Sequence, residues 1–178
     1  MTFILTSAVP RVTAVFPVRA YLPTSHQDKE DIVKARELMT NDPACCTPDQ
    51  TIREAAGMMR DCDCGCIPVV EDNASRRLVG VVTDRDIAVR AIAVGKGSDT
   101  PVRDVMTTGP KCCGPDDDVS SVEQIMTEEQ VRRVPVVDAK GCCVGMVSQA
   151  DLALNDRAAS EKEVGRVVEK ISEPAGMH

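Results

Sequence analysis

The sequence predicts an α/β fold: two tandem copies of one strand–helix–strand–strand–helix unit, with a further helix flanking each end. Three observations predict it. The stretch Gly80-Val-Val-Thr-Asp-Arg-Asp86 reads as a buried strand turning into a helix, and it returns as Gly145-Met-Val-Ser-Gln-Ala-Asp151. Ile52, Ala55, Ala56 and Met59 recur at the spacing of an amphipathic helix. Short apolar runs built on Ile67-Pro68 and Val134-Pro135 supply the remaining strands.

In chain order, residues 1–27 form an apolar-rich leader broken by Pro10, Pro17 and Pro23, expected to be poorly ordered. No basic segment precedes its first apolar run, and no stretch has membrane-spanning length. Residues 28–95 hold the first copy with its leading helix. That helix is predicted from about Asp28 to Met39, because Ser25 with Asp28 resembles a capping pair and Ile32, Ala35 and Met39 share a face. Thr40 to Pro43 is a stop and turn, and Ala44-Cys45-Cys46-Thr47 a short strand. Thr51-Ile-Arg-Glu54 is a capping box opening the amphipathic helix. Cys66 to Val70 is a strand with Pro68 near its beginning, where a missing N–H costs least. Asn73-Ala-Ser75 makes a turn. Leu78 to Val82 is apolar at consecutive positions, as in a strand covered on both faces. A helix from Asp84 to Val94 stops at Gly95. Residues 96–101 are a linker, 102–156 the second copy, and 157–178 a C-terminal helix and tail. In that last helix Ser160 pairs with Glu163 as a cap, Val164, Val167, Val168 and Ile171 form a stripe, and Pro174 ends it. The stripe must pack on the body or on a second chain.

The two copies align residue by residue. Met39-Thr40 returns 67 residues later as Met106-Thr107, Pro43-Ala-Cys-Cys46 as Pro110-Lys-Cys-Cys113, and Ile67-Pro-Val-Val70 as Val134-Pro-Val-Val137. The second hairpin is then shorter by two, and Gly80, Thr83 and Asp86 map onto Gly145, Ser148 and Asp151. A self-similar period of this kind decides the architecture.

This repeat resembles a tandem pair of cystathionine-β-synthase-type (CBS) domains, a Bateman module, over about Val33 to Asn155. The resemblance implies two β-α-β-β-α motifs packed with pseudo-twofold symmetry and clefts between the sheets. It also implies a regulatory adenosine-containing ligand (AMP, ADP, ATP, S-adenosylmethionine or NAD) and no catalytic cofactor. Pairing into a homodimer and signalling to a regulated partner protein follow from it as well. In the family the motif Asp holds the ribose, which falls here on Asp86 and Asp151.

Side-chain chemistry agrees with that role. Thr83 and Ser148 carry hydroxyls at helix starts, where free N–H groups suit a phosphate. Asp86 and Asp151 are acceptor-only carboxylates able to take both ribose hydroxyls. Ile67-Pro68 and Val134-Pro135 offer an apolar wall for a purine. The strands at Cys45 and Cys112, with Thr40 and Thr107 before them, offer backbone groups to its edge. Capping competes with ligand contact at each Thr/Ser-x-x-Asp. The copies also differ: Arg85 and Arg90 accompany the first motif, whereas Arg132-Arg133 precede Val134 in the second and Gly65-Cys66 stand in their place in the first.

Composition narrows the alternatives. Aromatic residues make up 2% of the chain, so no platform exists for stacking single-stranded nucleic acid. A net charge of −7 without a long basic run argues against nucleic acid and anionic membranes as partners. The only histidines are His26 and His178, and phosphate-loop and dinucleotide glycine fingerprints are absent, so catalysis finds no support. Nine cysteines, an odd number with several adjacent, read as reduced thiols in a cytoplasmic setting. Cys46 and Cys113 replace core residues, and Cys64 matches Val131. Cys62-Asp-Cys64-Gly-Cys66 lacks the second pair or His usual in structural zinc sites. A cysteine-based redox or metal sensor on the same fold, and a plain dimerisation module with empty clefts, are the alternatives. Cys142-Cys143 in the hairpin is expected to be exposed and oxidisable.

Overall fold

Each copy lends a two-residue strand to the other copy's sheet. The computed structural model of the protein describes residues 32–155 and 161–173. The 1–27 leader, the Ser25–Asp28 pair, Ser160, Pro174 and both histidines lie outside the described residues. The chain runs α1 (Ala35–Leu38), β1 (Thr40–Asn41), α2 (Ile52–Asp61), β2 (Cys66–Val70), β3 (Leu78–Thr83) and α3 (Asp84–Arg90). It continues with β4 (Thr107–Thr108), α4 (Val119–Glu129), β5 (Arg133–Val137), β6 (Cys143–Ser148), α5 (Gln149–Ala153) and α6 (Glu161–Ser172). This is the predicted α/β repeat.

The two sheets are antiparallel, in the orders β1-β6-β5 and β2-β3-β4. Thr40 therefore pairs with Met146 of the second copy, and Thr107 with Val81 of the first. The two cores repeat the exchange. Val33, Ala35, Leu38 and Met39 pack with Val122, Met126, Val134 and Val147, while Val102, Val105 and Met106 pack with Ile52, Ile67, Val69 and Val82.

Leading helix α1 is a single turn, shorter than the predicted Asp28–Met39 span. Lys34 is extended and bridges to Asp118, with which its ammonium also forms an ion pair. Val119 N donates to Val33 O, 3.1 Å away. Pairing with the start of α4 thus claims residues the helix would need, and Ile32 is exposed rather than on a helical stripe. The Ala44–Thr47 strand reduces to one parallel bridge: Cys46 N donates to Pro68 O at 3.0 Å and Val70 N to Cys46 O at 2.9 Å. Pro68 sits third of five in β2, with its nitrogen on this outer side. Its carbonyl takes the Cys46 bond on that side, away from β3, so the missing N–H costs no bond to β3. Cys113 and Pro135 repeat the arrangement at 3.1 Å.

The predicted cap on α2 is present. Thr51 Oγ1 accepts from Glu54 N at 3.2 Å, and Glu54 Oε2 accepts from Thr51 N at 2.7 Å. The linker adds to this cap, because Ile52 N and Arg53 N donate to Thr100 O and Ser98 O. Ile52, Ala55 and Met59 are buried, whereas Ala56 is exposed. Helix α3 yields to a 3₁₀ turn, Ile92–Val94, closed by left-handed Gly95. Val167 and Ile171 of α6 enter the second core, so the terminal stripe packs on the body. No helix among the described residues is long and apolar enough to cross a membrane.

Two glycines permit the strand exchange. A Cβ on Gly80 would lie 2.7 Å from Thr107 O, and one on Gly145 would overlap Met39 Sδ. The first clash is with backbone, the second with a flexible side chain. Gly80→Ala should therefore lower the unfolding free energy by about 1–3 kcal/mol, the scale of overpacking. Gly145→Ala should cost less, because Met39 can swing aside. Urea denaturation of both variants measures the order, and equal or reversed costs would reject this role for Gly80.

Candidate functional site

At the ends of β3 and β6 the chain folds into two matching capping boxes. Thr83 Oγ1 accepts from Asp86 N at 3.0 Å, while Asp86 Oδ2 accepts from Thr83 N at 3.0 Å and from the Thr83 hydroxyl at 2.7 Å. In the second copy Ser148 Oγ accepts from Asp151 N at 3.3 Å, and Asp151 Oδ2 accepts from Ser148 N and from its hydroxyl, each at 2.7 Å. All four side chains are half-buried.

Free N–H groups at these helix starts were expected to receive phosphate, and at α3 the structure corrects this. Asp84 N donates to Gly65 O, Arg85 N to Asp84 Oδ1 and Asp86 N to Thr83 Oγ1. The first turn of α3 has no spare donor, and Asp84 and Asp86 make it negative. At α5, Gln149 N donates to Arg132 O and Asp151 N to Ser148 Oγ.

The exchanged strands bring Thr107 to the first motif and Thr40 to the second. Arg90 makes the first link. Its Nη1 lies 3.4 Å from Asp86 Oδ1 and donates to Val105 O at 2.9 Å, Met106 O at 3.2 Å and Thr107 Oγ1 at 3.2 Å. The i,i+4 spacing of Asp86 and Arg90 is a helix-face pairing visible in sequence; the reach to the partner copy's strand is not. Asn155 occupies the matching place in the second copy.

Arg133 opens β5 opposite Ser148, as Cys66 opens β2 opposite Thr83. The Arg133 guanidinium is close enough to the Cys66 thiol to act on it electrostatically, as are Asp84 and Asp86. Half-buried Arg133 of one copy thus acts on a thiol of the other. Burial dominates at the thiol itself and pushes Cys66 up to about 12. Asp84 closes over Gly65, where an added Cβ would meet its Oδ2 at 2.8 Å. Arg85, Arg132, Thr40, Thr107 and Cys112 are exposed, and Cys45 is half-buried. Ile67 and Val134 are buried in the two cores, and Pro68 and Pro135 are buried beside them.

The cysteines divide by burial. Cys46 and Cys113 lie in the cores, and burial raises their thiols to about 12 and about 11. Cys62 is exposed, Cys64 half-buried and Cys66 buried, so the three point into different surroundings. No group of three or more His, Cys, Asp or Glu among the described residues is arranged to hold a metal ion. The Cys142-Cys143 pair departs from expectation: Cys143 begins β6 and is buried, because hairpin pairing with Arg76 and Arg77 draws it inward. A groove of about 460 Å³ lies between α4 and α6, lined by Glu123, Gln124, Thr127, Glu163, Arg166 and Lys170 among others. None of the candidate ligand residues borders it. Burial, and then Glu163, raise the Glu123 carboxyl in this groove.

The model of the CBS domain family matches residues 35–92 and 102–156, and this chain belongs to that family as a CBS domain pair. The CBS domain-containing protein YhcV of Bacillus subtilis is 39% identical over 137 residues, which cover 77% of this chain and 94% of the relative. A crystal structure of hypoxic response protein I with two coordinated zinc ions matches with a TM-score of 0.62 at 32% identity, over 68% of this chain and 97% of that one. The CBS domain pair of protein MJ0100, in complex with 5-methylthioadenosine and S-adenosyl-L-methionine, matches with a TM-score of 0.61 at 27% identity, over 68% and 94%.

Arg90 joins the first capping box to the strand lent by the second copy, and its loss should be felt globally. Arg90→Leu should cost about 1–2 kcal/mol, since its partners are carbonyls and a carboxylate but the side chain is half-exposed. A urea midpoint unchanged from the parent protein would show that the link carries no energy.

Proposed function

We propose that this protein is a non-catalytic regulatory module that binds an adenosine-containing ligand between its two copies and passes the signal to a partner protein through their relative orientation. The observation that carries this is the polar junction in which Arg90 links Asp86 of one copy to Thr107 of the other, with Arg133 of the second copy in electrostatic reach of Cys66 of the first. A ligand held there touches both copies at once. It therefore has the differential contact needed to shift one arrangement over another. The ligand-bound MJ0100 pair supports the adenosine chemistry.

In this scheme Asp86 and Asp151 bind ribose hydroxyls through carboxylate oxygen left over from capping. Arg133, with Arg132, faces phosphate or another anionic group. Arg85 plays a lesser part at the first motif. Thr40, Thr107, Thr83 and Ser148 line the polar sides, and Ile67-Pro68 and Val134-Pro135 back them from strands β2 and β5. The second motif, with Arg132-Arg133 before Val134 and with Gln149-Ala150 in place of Asp84-Arg85, suits a charged ligand better. Exposed Val89, Ile92, Val94 and Leu154 give the module an apolar surface for pairing into a homodimer.

Titration calorimetry with AMP, ADP, ATP, NAD and S-adenosylmethionine tests the proposal. At least one should bind, and Asp151→Ala or Asp86→Ala should weaken it about ten- to a hundredfold, the scale of a charged hydrogen bond. Each change also removes a cap, so a thermal melt must confirm folding. No binding by any of the five, or binding indifferent to both substitutions, would leave a plain dimerisation module.

A further inference from the structure

None of the nine cysteines is in a disulfide, but two meet where the copies join. Cys45 follows β1 in the first copy's chain, and Cys143 opens β6 in the second. The two side chains interact with each other, while Cys45 Sγ also reaches Pro43 O at 3.3 Å and Cys143 Sγ reaches Gly145 O at 3.7 Å. Arg76, from the first hairpin, stands over both: its Nη2 donates to Cys45 Sγ at 3.4 Å and to Pro43 O at 2.9 Å, and its Nε donates to Cys143 O at 3.2 Å. Arg76 also pairs with Asp42 at 3.1 Å. The main chain fixes this arrangement, with Asp42 N donating to Val144 O at 3.1 Å and Cys143 N to Arg76 O at 2.8 Å.

The chemistry of the two sulfurs differs. Cys45 is half-buried and its thiol is held below the usual value, first by the Cys143 hydrogen bond and then, against burial, by the Arg76 charge. Cys143 is 1% exposed and is pushed up, by the same shared proton and by burial. The pair therefore loses its first proton from the reachable sulfur and keeps the second on the sheltered one. That is the division of labour between an attacking thiolate and a resolving thiol. The other copy serves as a control. Cys112 takes the place of Cys45 and is exposed, but burial of its sulfur and Asp117 raise it, and Leu78 stands where Cys143 would be.

We propose that Cys45 and Cys143 form a peroxide-reactive dithiol site whose oxidation ties the two copies together through a disulfide. The Cys45 thiolate attacks a hydroperoxide oxygen and the O–O bond breaks. The sulfur is oxidised to sulfenic acid, and the departing oxygen takes a proton and leaves as water or alcohol. Cys143 sulfur then attacks Cys45 sulfur. The S–S bond forms, the S–O bond breaks, and hydroxide leaves with the Cys143 proton as water. Two thiols and one hydroperoxide become a disulfide, water and one further water or alcohol. The bond would fix the 42–46 segment to β6, the strand that carries Ser148 at its far end.

Reduced protein treated with hydrogen peroxide, quenched with N-ethylmaleimide and mapped as non-reduced peptides tests this. The expected product is a dominant Cys45–Cys143 disulfide. In Cys143→Ser, dimedone should trap sulfenic acid at Cys45; in Cys45→Ser, neither product should form. Arg76→Gln should slow iodoacetamide labelling of Cys45 at pH 7 by about fivefold or more while Cys112 labels as before. Oxidation of Cys62 or Cys112 ahead of Cys45, a disulfide with another partner, or labelling of Cys45 indifferent to Arg76 would overturn the proposal.

Discussion

Two approaches too close for an intervening side chain hold this molecule together: the Thr107 carbonyl over Gly80 and Met39 over Gly145. Each places a short strand from one copy against the sheet of the other. The cores follow, since Val102 and Val105 are buried with the first copy and Val33 and Ala35 with the second. Neither copy closes its core alone. A motif of about 55 residues buries too little surface to be comfortably stable, and the exchange lets two such motifs share one stability.

The same exchange builds the candidate site. Arg90 ties the Asp86 capping box to β4, and Arg133 of the second copy acts electrostatically on Cys66 of the first. A change in how the copies meet must alter these contacts, and a ligand on them must alter how the copies meet. At the opposite end of the sheets Arg76 spans the join in the same manner, holding Cys45 beside Cys143. Nucleotide and thiol chemistry would then act on one mechanical element, the join, from its two ends.

Much of this was legible because it is local. The capping boxes at Thr51, Thr83 and Ser148, the prolines on outer strand edges and the αL stop at Gly95 are set by neighbours within four residues. The repeat then multiplied weak signals into a fold. What escaped was set by distant partners. Nothing around Thr40 says which sheet it joins, and α1 is cut short by Lys34 pairing with a residue 84 positions away. Arg76 adopts a positive φ in a turn and reaches back across 31 residues to Cys45, which no spacing rule anticipates. At the site, the Thr/Ser-x-x-Asp pattern encodes a cap and a ligand contact identically. The sequence placed the residues, but only the geometry revealed that the first helix start has no N–H to spare.

The interdependence of the copies is most directly tested by native-state hydrogen exchange. If each copy completes the other, the Val82 amide in β3 and the Val147 amide in β6 must open in one event, with equal free energies and equal denaturant dependence. Opening of one sheet at a free energy lower by about 2 kcal/mol or more, while the other stays protected, would contradict a shared core and leave two domains merely in contact.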